Sequence, residues 1–387
     1  MSDPGVVIVG GGLAGARTAQ ALRSRGFAEP IRIVAGEDAW PYDRPPLSKE
    51  FLAGEVGEED ICLLSADACA ELDIELMRGQ RAASLDLDRR ELLLADGVRV
   101  PFNQLVVATG AAPRTLPQLD GLGNVFTLRD VGDARALRDA FASKPRVLIV
   151  GGGFIGLEAA CAAHARGCRV TVIEASAQPM SAVLGAKLGK TIGEWHESHG
   201  VRLLRERSVT HAETDGETLR VTLSDDATIT ADVVVLAVGV RAEVDWLSGT
   251  ALHSEDGVPC DINGRTVVEG VFAAGDVARP RVHGRSVRLG HWTPANDMAR
   301  RVAGVLSGAE DDERELDDYF WSDQFGARLQ LVGSIDEDSE LVVETGAIED
   351  SSFVASCHVE GKPSAVFAMN RPRDFLRARL AMQAVTA

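Results

Sequence analysis

The chain has no pair of cysteines spaced C-x-x-C; its six stand at positions 62, 69, 161, 168, 260 and 357. A dithiol redox motif of that spacing is therefore excluded. Cys161 and Cys168 fall seven residues apart on a stretch of helical pattern. That is ~10.5 Å along a helix axis, beyond disulfide reach, and the thiols read as structural or incidental. His196-Glu-Ser-His199 is not H-E-x-x-H and has no second ligand pair, so no metal is assigned. Long apolar runs are missing too, and none approaches the ~18–20 residues of a membrane span. Positive charge is in deficit, with 40 Lys and Arg against 58 Asp and Glu, a net charge of −18. That balance argues against nucleic acid or an anionic membrane as partner. The segment carrying Asp3 has neither a signal-peptide nor an Arg-rich transit pattern, and a cytoplasmic location is expected.

What is abundant is glycine, 39 residues of 387, and it is organised. Gly5-Val-Val-Ile-Val-Gly-Gly-Gly-Leu-Ala-Gly15 is matched by Arg146-Val-Leu-Ile-Val-Gly-Gly-Gly-Phe-Ile-Gly156. Each is a β-branched run feeding G-x-G-x-x-G, with Gly10, Gly12 and Gly15 in the first copy and Gly151, Gly153 and Gly156 in the second. A helical pattern follows each, Leu13–Ser24 and then Ile155–Arg166. Next comes a second apolar strand, Ile31–Val34 with Glu37 beyond it, or Arg169–Ile173 ending at Glu174. These are two βαβ units with an acidic residue near the ribose position, built to hold a dinucleotide pyrophosphate on helix N-terminal amides. Two such units point to an enzyme holding two dinucleotides, and FAD with a nicotinamide is the pairing that makes chemical sense.

Leu105–Gly110 and Val233–Gly239 form a second matched pair, buried strands ending in glycine. The repetition predicts an α/β fold with two Rossmann-like domains, the second inserted in the first. Thr266–Asp276 reads as a strand returning to the first domain. The acidic run Glu310–Asp318 reads as a linker or solvated helix end. Beyond it, alternating residues such as Ser352–Val359 and Ser364–Ala368 predict a small antiparallel sheet with a helix from Pro372. The expected domains are 1–112 with 246–315 for FAD, 113–245 for NAD, and an α+β module over 316–387.

A carboxylate at Glu174 can accept both ribose hydroxyls and repels a 2′-phosphate, and Ala175-Ser-Ala-Gln178 supplies no arginine. NADH is favoured; the alternative is a solvated Glu174 with Lys187 or Lys190 reaching a phosphate. Pro41-Tyr-Asp-Arg-Pro-Pro-Leu-Ser-Lys49 contains adjacent prolines that stiffen a loop and deliver Lys49 to the start of a short helix. Flavoreductases of the glutathione reductase type carry their cysteine pair here, and this chain has none. Electrons must then leave a flavin directly.

That loop, together with Gly151-Gly-Gly-Phe-Ile-Gly-Leu-Glu158, Phe320-Trp-Ser-Asp-Gln324 and Asn370-Arg-Pro-Arg-Asp-Phe375, closely resembles the FAD-dependent NADH:ferredoxin reductases. Those are the reductase components of Rieske dioxygenase and bacterial P450 systems, and the likeness runs the length of the chain. It implies hydride transfer from NADH to flavin and single-electron transfer to a [2Fe–2S] ferredoxin. It further implies that Ala14, Lys49, Ala82, Arg129, Asp276 and Trp292 touch FAD, and that Lys49 and Glu158 form a catalytic pair near flavin N5. An ordinary interdomain salt bridge is the alternative for that pair. Arg44, Thr109, Gly110, Ile155, Gly239 and Gly275, within the same motifs and strand ends, complete the candidate cofactor-binding set. Trp292 and Trp321 are candidates to cover the flavin or to sit in the core.

This chain departs from the family pattern at Gly36, where an acid is common and Glu37 follows instead. It departs also at Gln178, where Arg is common, and at Gly290, where a Glu often stands near the nicotinamide. Arg279–Arg288 and Arg371–Arg379 read either as solvated surface or as docking patches for an acidic ferredoxin. A monomer or weak dimer is expected. Two other readings stay open, a reductase of rubredoxin, oxygen or a small acceptor, and a redox-sensing interaction protein resembling apoptosis-inducing factor.

Overall fold

Each β-branched run that precedes a glycine fingerprint becomes the central strand of a parallel sheet. The computed structural model describes residues 4–282, 284–336 and 338–386; Asp3 lies outside them. The chain divides into two compact units, one of residues 4–44, Gly57–Ala112 and Val240–Asp318, the other of Pro45–Val56, Pro113–Gly239 and residues 319–386.

In the first unit the strand order is Val271–Ala273, Gln104–Val107, Val6–Val9, Ile31–Val34 and Ile74–Met77, all parallel. Both faces of such a sheet are covered, which is why its strands read as unbroken apolar runs. Val6, Val7 and Ile8 are fully buried. Helix Leu13–Ser24 packs against helix Trp292–Leu306. The strand expected over Thr266–Asp276 is shorter, because Gly270 turns the chain at φ +75° and Val271 N–H closes the turn on the Val268 carbonyl.

The second unit repeats the arrangement, with parallel strands in the order Arg202–Leu204, Arg169–Ile173, Arg146–Val150, Val233–Leu236 and Val125–Phe126. Its glycine-loop helix is Phe154–Ala165. Cys168 lies beyond the end of that helix, past Gly167 at φ +84°, so the helical spacing applied to Cys161 and Cys168 does not hold. All six cysteines are free. The unit ends in an antiparallel sheet ordered Phe320–Gln324, Ala327–Gly333, Lys362–Met369, Ser352–Val359 and Glu340–Ala347. Helix Pro372–Thr386 seats Phe375 among Val332, Val354 and Val366.

The acidic run 310–318 is neither helix nor strand. It is anchored rather than free. The buried Arg301 donates to the carbonyls of Arg314 at 2.7 Å and Glu315 at 3.0 Å. No described helix is long and apolar enough to cross a membrane.

Candidate active site

The first glycine loop shows why each of its glycines is glycine. Gly10 turns at φ +126°, and a Cβ there would come within 2.0 Å of the Ala108 carbonyl oxygen. A Cβ on Gly15 would lie 1.9 Å from the Gly10 carbonyl oxygen, so the helix crosses the loop at backbone contact. Gly12 differs: it caps helix Leu13–Ser24 with no side-chain hydrogen bond, and a Cβ there would meet nothing within 4 Å. A helix N-terminus with uncapped amides and open space in front is a site for a pyrophosphate. The second loop reproduces this residue for residue. A Cβ on Gly151 would lie 2.3 Å from the Ala237 carbonyl, one on Gly156 would lie 2.1 Å from the Gly151 carbonyl, and Gly153 caps its helix facing open space. Ile155, in the first turn of that helix, is a large apolar residue left exposed at 38%. Both sites fit a dinucleotide.

Around the first loop, Gly275 brings its backbone against Ala14, where a Cβ would meet the Ala14 methyl at 2.8 Å. Asp276 follows in the turn Gly275–Val277. Glu37 accepts from the Tyr42 hydroxyl and, at 2.5 Å, from the Arg44 guanidinium. Burial works against the Arg44 charge, yet Tyr42, Glu37 and Asp276 together raise its pKa. Burial likewise raises Asp43, which accepts the Trp292 indole N–H at 2.8 Å. Burial lowers the neighbouring His291, against the pull of Asp276. Thr109 donates to the Glu243 carbonyl at 2.7 Å, and Gly110 follows at φ +75°. Ala82 opens strand Ala82–Asp86.

In the second unit, Glu174 accepts from the Gly152 amide at 2.8 Å and the Ser176 amide at 2.7 Å, one on each oxygen. Each oxygen keeps a further lone pair. Lys190 pairs with Glu194 on its own helix. Gly239 turns at φ +93°, and Arg129 lies between strand Val125–Phe126 and helix Val131–Ala140.

Lys49 is the N-cap residue of the short helix Glu50–Ala53. Its ammonium donates to Glu158 Oε2 at 2.7 Å and to the Pro45 carbonyl at 3.1 Å, and a third proton has no partner among the described residues. Glu158 sits in the second turn of helix Phe154–Ala165 and is 5% exposed. Three donors converge on it, since Ser48 Oγ reaches Oε2 and Ser322 Oγ reaches Oε1, both at 2.5 Å. Ser322 in turn accepts from Gln324 at 3.0 Å.

The sequence of this chain matches the family described as pyridine nucleotide-disulphide oxidoreductase over residues 4–299, and the reductase C-terminal family over residues 319–387. It belongs to the pyridine nucleotide-disulphide oxidoreductases. Within that family it is similar to ferredoxin reductases. Rhodocoxin reductase of Rhodococcus erythropolis is 34% identical over 378 residues, 97% of this chain and 88% of that one. The benzene 1,2-dioxygenase system ferredoxin–NAD(+) reductase subunit of Pseudomonas putida is 34% identical over 382 residues, 98% of this chain and 92% of that one. A solved covalent putidaredoxin reductase–putidaredoxin complex superposes with a TM-score of 0.94 at 29% identity, covering 100% of this chain and 94% of that chain.

Against the reductase pattern, the three departures acquire physical reasons. A Cβ on Gly36 would sit tightly, at 3.2 Å, against the Arg81 side chain, which would have to give by a few tenths of an ångström to admit an acidic residue. Gln178 accepts from Arg205 at 3.2 Å, a cation absent from the local sequence that the fold brings back from 27 residues away. Arg205 is already committed to both oxygens of Glu197 at 2.8 Å. Gly290 takes φ +60° with open space beyond it, so its departure concerns backbone conformation rather than room. Sequence reasoning passed over Ser48, Ser322 and Gln324, although all three stand inside motifs it singled out. It also treated His196 only as a failed metal ligand. Trp321 faces away from Ser322 on its strand and stacks on Tyr319, ring centroids 6.0 Å apart.

Proposed function

We propose that this oxidoreductase takes hydride from NADH onto a bound FAD and passes electrons singly to a [2Fe–2S] ferredoxin that serves a Rieske oxygenase or a cytochrome P450. The observation that carries the reading is the Lys49–Glu158 pair, 2.7 Å apart, its lysine at the end of the proline loop in which flavoreductases of the glutathione reductase type carry a cysteine pair. FAD, when bound, splits a two-electron donor into single electrons. The chain's own part is to bind, orient and exclude water. The amides beyond Gly12 hold one pyrophosphate, with residues 1–112 and 246–315 as the FAD domain. The amides beyond Gly153 hold the other, with 113–245 as the NAD domain. Residues 316–387 position the acceptor.

With FAD bound, Lys49 and its uncommitted proton would supply a cation for the negative charge of the reduced flavin, the role this reading gives it. Ala14, Arg44, Ala82, Thr109, Arg129, Asp276 and Trp292 complete the FAD contacts in this reading. Glu174 selects NADH, because Arg205 is neutralised by Glu197. The Arg279–Arg288 and Arg371–Arg379 stretches offer the ferredoxin positive charge on a chain of net charge −18. A cytoplasmic location belongs to the same proposal.

The deciding experiment is anaerobic titration of the purified flavoprotein with NADH, followed by NADH-driven cytochrome c reduction with and without a panel of [2Fe–2S] ferredoxins and rubredoxins. Bleaching by NADH and a rate that depends on a ferredoxin are expected. A colourless protein, or flavin that NADH leaves oxidised, sinks the proposal; fast oxygen consumption without a carrier favours the small-acceptor reading instead.

A further inference from the structure

The Glu158 carboxylate is the end of a buried row of polar side chains that reaches across the second unit. Ser322 is fully buried, Gln324 is 1% exposed and His196 is fully buried. Behind the Ser322–Gln324 contact, Gln324 Oε1 meets His196 Nε2 at 2.8 Å. Four polar groups in line at this depth are costly unless every link is made.

The direction of the row follows from what each group can do. A carboxylate only accepts, so Ser322 Oγ–H donates to Glu158 Oε1. The Ser322 oxygen then takes its bond from the Gln324 NH2, which turns the Gln324 carbonyl toward His196 and places the imidazole proton on Nε2. His196 Nδ1 is left bare, and no partner for it stands among the described residues. Burial holds His196 neutral, its pKa pushed down to about 4, which is the state this tautomer needs. An amide does not hand on a proton, so the row is no wire. It is a fixed line of dipoles with every positive end toward Glu158.

The two carboxylate oxygens are therefore held from opposite sides. Oε2 is held by Ser48 and Lys49 at the proline loop. Oε1 is held by the first strand of the C-terminal sheet, where alternation turns Ser322 and Gln324 inward while Asp323 pairs outward with Arg328 at 2.8 Å. We propose that Ser322, Gln324 and His196 are positioning residues, fixing the Glu158 carboxylate and through it the Lys49 ammonium. The assignment rests on the reading that Lys49 faces the flavin. Without the row the carboxylate is held at Oε2 only, by Ser48 and Lys49, and is free to swing, so the ammonium loses its set direction.

The test uses the FAD-loaded full chain and its Ser322→Ala, Gln324→Leu, Glu158→Gln and Ser322→Ala/Glu158→Gln variants. Three quantities are read: the anaerobic rate of flavin reduction by NADH, the flavin midpoint potential, and the melting temperature. S322A is expected to slow reduction roughly tenfold, the size of one lost hydrogen bond to a charged group, and Q324L to slow it less, since it loosens Ser322 without removing that bond. They should also move the midpoint in the direction E158Q moves it. The double variant should be no slower than E158Q, since the two act through one carboxylate. Parental rate and midpoint in S322A and Q324L beside an impaired E158Q overturn the positioning role alone, even with a lowered melting temperature. Parental values in E158Q overturn the Lys49–Glu158 reading and this inference with it. If S322A and Q324L fail to retain FAD, His196→Gln and His196→Leu decide. Glutamine keeps a donor at the ε position and must preserve the midpoint while leucine shifts it; equal behaviour overturns the proposal.

Discussion

The ring of Phe325 lies nearly flat on the imidazole of His199, centroids 4.4 Å apart and planes at 15°. His196 and His164 meet the same ring edge-on, at 5.0 and 5.5 Å. Phe325 and Gly326 are the two residues joining strand Phe320–Gln324 to Ala327–Gly333. Both take positive φ, +46° and +74°, as a tight hairpin requires. A phenylalanine in that conformation carries strain of about 1 kcal/mol, which the histidine contacts offset. The turn thus serves as a plug fastening the C-terminal sheet to helices Phe154–Ala165 and Ser181–Ser198.

Removing that plug should be felt in stability. Phe325→Ala is expected to lose about 2 kcal/mol, less than a fully buried ring because Phe325 is only half-buried. Urea unfolding monitored by circular dichroism measures it. A loss below about 0.5 kcal/mol would mean that the three imidazoles hold nothing.

Acid should weaken the same region through His196. Its folded pKa of about 4 lies below the usual 6.5, chiefly through burial. Between those values the unfolded chain carries a proton that the folded chain does not, so stability rises with pH through the window and falls as pH drops. His196 is expected to contribute up to roughly 3 kcal/mol of this loss. The melting temperature of His196→Gln should fall less steeply between pH 6.5 and 4 than that of the parent. Parallel curves would refute the assignment.

The two glycine loops should separate by cofactor. Gly12→Ala and Gly153→Ala place a methyl in open space at φ −77° and −78°, so the melting temperature of the cofactor-free chain is expected to stay within about 1 °C. G12A should cut FAD content, measured by absorbance after gel filtration. G153A should keep full FAD and raise KM for NADH about tenfold or more. Exchange of these two phenotypes would reverse the loop assignment.

Nucleotide choice should hinge on Glu174 and on Arg205, which donates to Gln178. Glu174→Ser alone is expected to weaken NADH use, without creating NADPH use. Glu174→Ser with Glu197→Gln frees Arg205 and should raise kcat/KM for NADPH roughly tenfold or more over E174S. Steady-state kinetics with both nucleotides settles it; no gain from the second substitution removes Arg205 from the nucleotide site.

Much of this was legible in the chain because it depends on local rules. A strand buried on both faces must be continuously apolar, and a helix crossing a loop at 1.9 Å from backbone must place glycine there. Strands Ile31–Val34 and Arg169–Ile173 and helix Leu13–Ser24 run as their periodicity predicted. The strand over Thr266–Asp276 and the helical spacing of Cys168 misled, because positive-φ Gly270 delays the strand to Val271 and positive-φ Gly167 follows the end of the helix before Cys168.

The sequence alone determined that two dinucleotide folds exist, that the proline loop at Pro45-Pro46 carries no dithiol, and that Lys49 and Glu158 are residues to watch. Tertiary structure decided what Glu158 touches. Ser48, Ser322, Gln324 and His196 come from three distant stretches of chain, and a hydrogen bond leaves no periodic trace in sequence. Arg205 near Gln178, Arg81 close beside Gly36, and Phe325 among three histidines were settled the same way. Periodicity reports which face of an element is buried; only packing reports what that face is buried against.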